Sequence, residues 1–353
     1  MLLFFYLVQA QWVHAASLTV DTLLDENDGS CSDDDCSLRD AIQVANGGDT
    51  ITFGVTGTII LTLGQLNVDK NLVISGPGPV VLTVSGTNSS RVFYTTGEAV
   101  TISGMTLANG DSSDNGGGLN NNTGCSVRLT NVTFTGNSAT GLGGGLYNKG
   151  TATLTNVTFS DNSASDKGGG MYNDEISFLT NVTFTDNIAP SGGGMFDNNN
   201  STLTNVTISG NSASDRGGGV ATPHDSLITL KNTILSGNTA PAGPDCSGML
   251  NSNGYNLIQR IRGCTVTGDQ TSNLYGKDPL LGPLQDNGGA TFTRALLPGS
   301  PAIDSGDTTD RFGNPVSQDQ RGVSRPQGPT SDMGAYEVVK MWVPLIVVNF
   351  TQP

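Results

Sequence analysis

Apolar residues recur along this chain in short alternating runs, as in Val157-Thr158-Phe159, and the runs repeat at a fixed interval. The string Asn-Val-Thr-Phe begins at Asn131, Asn156 and Asn181, with variants at Asn205 and Asn232, in steps of 25, 25, 24 and 27 residues. A glycine triplet opens at Gly116, Gly143, Gly168, Gly192 and Gly217, and a further asparagine column runs through Asn137, Asn162, Asn187, Asn211 and Asn238. Three columns share one period. Each unit holds β-type runs separated by Gly, Asn, Asp and Ser, with no 10-residue helical pattern, so helical repeats are excluded. Propeller blades of about 40 residues and the Leu/Asn consensus of leucine-rich repeats do not fit either.

Within a unit the alternation slips by one residue across Thr155-Asn156, so that Leu154 and Val157 both point inward. Such a slip predicts a bend, which Asn suits because it tolerates left-handed backbone and its amide can bond the same amide one coil away. Stacking the units puts Phe134, Phe159, Phe184, Ile208 and Leu235 in one interior column and Val132, Val157, Val182 and Val206 in another. Coils about 4.8 Å apart would pair as parallel strands, since no single coil can bury its own apolar face. Weaker coils are expected at 51–53, 59–63, 72–75, 80–84 and 100–103. Ahead of them, 37–46 reads as a short amphipathic helix with Ser37 as N-cap and Asp40 in place of the capping-box Glu. Its Leu38, Ala41, Ile42 and Ala45 would cap the open end of the stack.

The predicted fold is therefore all-β: a single right-handed parallel β-helix with three strands per coil of 24–27 residues and a short N-terminal capping helix. The expected organisation is a signal peptide at 1–15, an N-terminal segment with the capping helix at 16–50, the β-helix at 51–278, C-terminal coils and a cap at 279–340, and an apolar tail at 341–353.

Composition and charge narrow the partners. With 48 glycines among 353 residues and a net charge of −15, the chain has no basic stripe to neutralise phosphates, so nucleic acid is excluded. The apolar start is too short to span a bilayer and leads to Ala15 and Ala16, which reads as a secretory signal; no Lys or Arg precedes Arg39. The tail from Met341 has about ten apolar residues interrupted by Pro344, again too short to span. For an exported protein, close spacing pairs Cys31 with Cys36 and Cys246 with Cys264 and leaves Cys125 free. The chain is read as a monomer, secreted or held at the cell surface.

Several strings carry a family resemblance. Cys36-Ser37-Leu38-Arg39-Asp40-Ala41-Ile42 resembles the N-terminal domain named for Cys-Ser-Leu-Arg-Glu-Ala, and the Gly-Gly-Gly and Asn-Val-Thr-Phe units resemble the repeats of polymorphic outer membrane proteins. From Pro279 onward, Gly299-Ser300-Pro301-Ala302-Ile303-Asp304, Asp319-Gln320-Arg321-Gly322 and Asp332-Met333-Gly334-Ala335-Tyr336-Glu337 are similar to the choice-of-anchor Q domain. The resemblance implies an exported bacterial β-helix protein, often surface-associated, with no defined chemistry.

Candidate chemistry is sparse. Polysaccharide cleavage by a lyase or glycoside hydrolase is the main alternative to a scaffold, because long β-helices host such enzymes. Hydrolysis needs two or three carboxylates about 5 to 10 Å apart. The repeats offer Asp161, Asp166, Asp174, Glu175, Asp186, Asp197 and Asp215, of which Asp161 with Asp186 and Asp166 with Asp215 fall in turn columns. No residue is assigned a catalytic role. Calcium is the one cofactor considered, with Asp25, Asp28, Asp33, Asp34 and Asp35 as its ligands and Asp304, Asp307 and Asp310 as a second group. Finally, Thr133, Thr135, Thr158, Ser160, Thr183, Thr185, Thr207 and Ser209 would form an outward hydroxyl array and a binding face. Arrays of this kind resemble ice-binding solenoids, a minor alternative. The preferred reading is a non-catalytic adhesion or glycan-binding scaffold.

Overall fold

The computed structural model describes residues 15–32, 35–223 and 226–340. All but the last residue of the expected signal peptide, and the whole apolar tail at 341–353, lie outside these. The strand Ser17–Val20 pairs in parallel with Thr50–Phe53, which in turn pairs with Leu72–Ser75. Parallel pairing continues coil upon coil to Leu274–Tyr275, giving a single all-β parallel solenoid of about eight turns. The stack thus begins ahead of residue 51, because the strand at Ser17–Val20 already forms its first rung.

A central coil carries three strands: Thr151–Ser160, Ser163–Ala164 and Met171–Asn173. The long strand bends at Asn156, whose φ is 55°, and the equivalent Asn131, Asn181, Asn205 and Asn232 have φ of 53, 55, 54 and 51°. Left-handed backbone of this kind is tolerated best by Gly and Asn, which is why the column keeps its asparagine. The bend turns both Leu154 and Val157 inward, and both are fully buried. The Phe134, Phe159 and Phe184 rings stack with centroids 4.7 and 4.6 Å apart at interplanar angles of 9 and 3°. Each such ring contributes roughly 1.5–3 kcal/mol by burial.

The other asparagine column is interior. Asn162 Nδ2 donates to Asn187 Oδ1 (2.9 Å) and to Phe159's counterpart one coil back, Phe134 O (3.0 Å), while its main-chain N–H also donates to Asn187 Oδ1 (3.1 Å). Asn137, Asn187, Asn211 and Asn238 repeat this pattern, and the run ends on Asp245 Oδ1, which accepts both the amide and the side chain of Asn238. Space along the stack is tight: a Cβ at Gly144 would lie 2.2 Å from Ser163 O, and Gly143 needs a φ of 66°.

The capping helix runs Leu38–Val44. Ser37 Oγ accepts the Asp40 N–H (3.0 Å) and donates to Asp40 Oδ2 (2.6 Å), so the shorter acid serves the cap through the Ser hydroxyl. Leu38, Ala41, Ile42 and Ala45 are buried on the stack, and Lys70 Nζ donates to Ile42 O, Gln43 O and Ala45 O at the other end of the helix. Cys31 is bonded to Cys36 beside this cap, and Cys246 to Cys264 across two successive coils, with Cα separations of 4.3 and 5.3 Å. Cys125 is a buried free thiol.

Residues 279–340 are not further coils. They form an antiparallel hairpin, Leu281–Gln285 with Thr293–Leu296, followed by turns that double back along the side of the stack. Parallel pairing stops at Leu274–Tyr275, and polar contacts to coils 75 to 163 residues earlier hold this strap laterally.

A second buried amide run links Asn121, Asn148, Asn173 and Asp197, each Nδ2 donating 2.7 Å to the next Oδ1. The Nδ2 atoms of Asn148 and Asn173 also face the main-chain carbonyls Gly150 O and Glu175 O. Asp197 occupies the same register, is fully buried, and its Oδ2 has no hydrogen-bond partner among the described residues. An ionised oxygen there would have no donor among the described residues. Burial pushes its pKa up to about 6 against the hydrogen bonds from Ser201 and Asn173. The raised folded pKa means that the proton stabilises the fold fully below about pH 4 and that this contribution is lost as pH rises through about 6. We predict that Asp197→Asn matches the wild type in unfolding free energy near pH 4 and exceeds it by about 3 kcal/mol near pH 7. Denaturant unfolding at the two pH values checks this; a difference that does not change with pH would contradict it.

Candidate functional site

The hydroxyl columns expected on the outside of the stack are largely covered. Thr158, Ser160, Thr183, Thr185, Thr207 and Ser209 are buried, a correction to the expected open array; only Thr133 and Thr135 remain half-buried. The reason is the strap. Thr158 Oγ1 donates to Phe292 O (2.7 Å) and accepts from Gln320 Nε2 (2.8 Å), and Thr183 Oγ1 donates to Gln320 Oε1 (2.7 Å). Thr207 Oγ1 accepts the Ala335 N–H (3.0 Å), and Arg294 Nη1 reaches Ser209 Oγ (3.1 Å) and Thr185 Oγ1 (3.4 Å). A flat, solvated lattice of hydroxyls is therefore not available for ice on these rungs.

Charged residues of the C-terminal strings hold the strap together. Arg325 Nη1 pairs with Glu337 Oε2 (3.0 Å) with both side chains buried, and it also donates to Asp332 O (2.7 Å). Asp319 Oδ2 takes Arg321 Nη2 (2.7 Å) and the Glu337 N–H (2.9 Å), and the Arg321 guanidinium lies 3.6 Å from the Tyr336 ring centroid. Burial pushes Glu337 and Asp332 up, with backbone hydrogen bonds and Arg325 pulling the other way. This network places Gln320 against the threonines. The strings that resemble an anchor domain thus serve here to fasten the strap.

Where the strap stops short, a cleft of about 480 Å³ opens between it and the stack. Thr106, Thr133 and Thr135 form its floor, Pro79 and Val80 one wall, and Leu284, Ala290 and Phe292 the other, with Ser160 and Asp161 at one end. Val80 is 65% and Phe292 40% exposed, so apolar surface faces solvent there. Asp161 and Asp186 are exposed and one coil apart, about 4.8 Å in strand spacing. Burial and then the neighbouring Asp186 push Asp161 up, while the Ser160 hydroxyl works against both. Phe292 and Leu284 carried no signal in the sequence, since they lie outside the repeats and in no recognised string; Val80 was expected only as part of a weak coil at 80–84.

The remaining candidate acids are dispersed. Asp166 pairs with Lys167 (3.6 Å), Asp174 accepts from Asn198 (2.8 Å), Asp215 from Ser191 (3.3 Å), and Asp197 is interior. Among the expected calcium ligands, Asp25 is taken up by Arg39 (2.7 Å) and by the Thr62 and Leu63 amides (2.6 and 2.8 Å), and Asp28 accepts from Ser30 N (2.9 Å). Asp33 and Asp34 lie outside the described residues, and Asp35 is placed after the gap. In the second group, Asp307 pairs with Lys231 (2.7 Å), Asp304 with Lys340, and Asp310 accepts the Phe312 and Asn314 amides. Among the described residues no three His, Cys, Asp or Glu side chains are arranged to hold a metal ion. On another face Tyr147, Tyr172 and Phe196 stack at 5.6 and 5.4 Å, but they cover one another and offer edges only.

The Chlamydia polymorphic membrane protein (Chlamydia_PMP) repeat matches residues 131–149 and 156–173, which are parts of two successive coils. No curated protein matches the chain. Among solved structures, the crystal structure of pectate lyase Pel9A is similar, with a TM-score of 0.52 and 13% sequence identity over 91% of this chain and 96% of that one. At that identity the likeness speaks for the fold alone. Among the described residues no helix is long and apolar enough to cross a membrane.

The strap should be separable from the stack by one charge. We expect Glu337→Gln, which leaves Arg325 buried without its counter-charge, to cost about 3–5 kcal/mol and to release the strap. Limited proteolysis should then cut within 300–340 well before the stack; strap cleavage at the wild-type rate would contradict this assignment.

Proposed function

We propose that the protein is a non-catalytic, cell-surface β-solenoid that binds a surface glycan, as a monomer, in the cleft between strap and stack. The observation that carries the reading is the composition of that cleft: a floor of threonine hydroxyls between apolar walls that include the exposed face of Phe292. Sugars present the same mixture, hydroxyl edges and C–H faces, and binding sites of this kind combine apolar area with a few placed polar groups. Export is supported by two disulfides, which persist in oxidising compartments, and surface association by the repeat shared with a membrane protein family.

Polysaccharide cleavage is the second reading, and one observation favours it. Asp161 lines the end of the cleft and Asp186 follows it one coil on, about one strand spacing away, near the separation of a nucleophile and acid pair, and Asp161 holds its proton more readily than an ordinary carboxyl.

Two measurements divide these readings. On a glycan array the purified protein should bind a subset of glycans and lose that binding in Phe292→Ala; silence across the array would overturn the glycan reading. Incubation with acidic and neutral polysaccharides should yield no new reducing ends and no unsaturated uronates. Product abolished by Asp161→Asn would replace the scaffold by an enzyme.

A further inference from the structure

The turn that follows the long strand has the same conformation on successive coils. Its residues are Asn109, Gly136, Asp161, Asp186, Gly210 and Gly237, with φ of 49, 65, 57, 57, 79 and 67°. Glycine meets a left-handed requirement at least cost, and three of these coils use it. Asp161 and Asp186 instead place two like charges side by side, which opposes stacking. The turn does not need them. Asp186 Oδ2 accepts the neighbouring Thr185 hydroxyl (2.9 Å), and both acids are exposed at the surface.

A cation stands beside the pair, next to Asp186 rather than Asp161. Arg294 donates through Nε to Gly282 O (2.9 Å) and through Nη1 to Ser209 and Thr185, and it lies on the Asp186 side. Among the described residues no Lys or Arg lines the cleft. An acidic sugar entering it would therefore bring its carboxylate to Asp161, on which no cation acts among the described residues, in a molecule whose net charge is already −15. A cationic group would be drawn to the same place. The proton affinity of Asp161, raised by burial and by Asp186, agrees with a carboxylate that lacks a counter-charge.

Resting on the glycan reading, we propose that the cleft selects amine-bearing sugars: the ring packs on Phe292, its hydroxyls meet Thr133 and Thr135, and its ammonium group is held by Asp161 with Asp186. A lysine-rich peptide could satisfy the acids but not the threonine floor and the aromatic face together, so the sugar is the occupant that uses the whole cleft.

Titration calorimetry of the full chain at about pH 6 tests this, with a glucosamine hexasaccharide, its N-acetylated counterpart, a galacturonate hexasaccharide and hexalysine as probes. The glucosamine oligomer should bind most tightly. Asp161→Asn should weaken it about tenfold or more while changing the N-acetylated oligomer less than twofold, and Phe292→Ala should weaken both. Unchanged unfolding midpoints would show that these exposed substitutions leave the fold intact. Equal or tighter binding of the galacturonate oligomer, indifference of the glucosamine oligomer to Asp161→Asn, or hexalysine binding that survives Phe292→Ala would each overturn the proposal. An array profile that is positive and unchanged in both variants would leave the glycan function standing with its site elsewhere, and would remove this inference; silence on the array together with no binding of any probe would remove both.

Discussion

A coil of this solenoid cannot hydrogen-bond its own backbone or bury its own apolar side, so each depends on the coil above and below. The buried amide column from Asn137 to Asn238 makes that dependence specific. Each side chain joins the next coil's Oδ1 and the preceding coil's carbonyl, so a slip of one residue would break bonds on both sides. Stacked phenylalanines fill space but tolerate small shifts; paired amides in a dry interior do not. Register is therefore set by polar groups and stabilised by apolar ones. Both amide columns also end on an acid, Asp245 in one and Asp197 in the other, where the pattern of donor and acceptor runs out.

That regularity explains why the stack was legible in the sequence and why the site was not. Phe134, Phe159 and Phe184 lie in the core, Asn156 at a left-handed bend and Ser37 at a helix cap, as the period and the local chemistry of Asn and Ser require. The outward direction of Thr158 and Thr183 was also legible, but their exposure was not. Burial on that face depends on Gln320, a single polar residue 162 and 137 positions away, inside a segment with no period. Alternation reports which side of a strand a residue faces; it carries no information about what later covers that side. For the same reason the expectation of C-terminal coils and a cap at 279–340 missed that the buried Arg325–Glu337 and Arg321–Asp319 pairs belong to a lateral strap.

The same contrast places the cleft. Identical coils generate flat faces, and flat faces offer a small ligand little enclosure. Concavity appears where a non-repeating segment meets the repeat, which happens at Phe292, Val80 and the threonine floor. Asp161, at the end of the cleft, and Asp186 one coil on stand where three other coils of their column use glycine. Departures from the period, more than the period itself, mark where this molecule is concave.

The interior amide column can be tested directly by equilibrium unfolding of Asn162→Ala. The substitution removes the acceptor of the Asn137 side chain and main-chain N–H and the donor to Phe134 O and Asn187, leaving buried groups unpaired at about 1–3 kcal/mol each. The column predicts a loss of at least about 3 kcal/mol in one cooperative transition that the whole stack shares. A loss below about 1 kcal/mol, or a transition confined to the coil of Asn162 while its neighbours stay folded, would contradict it.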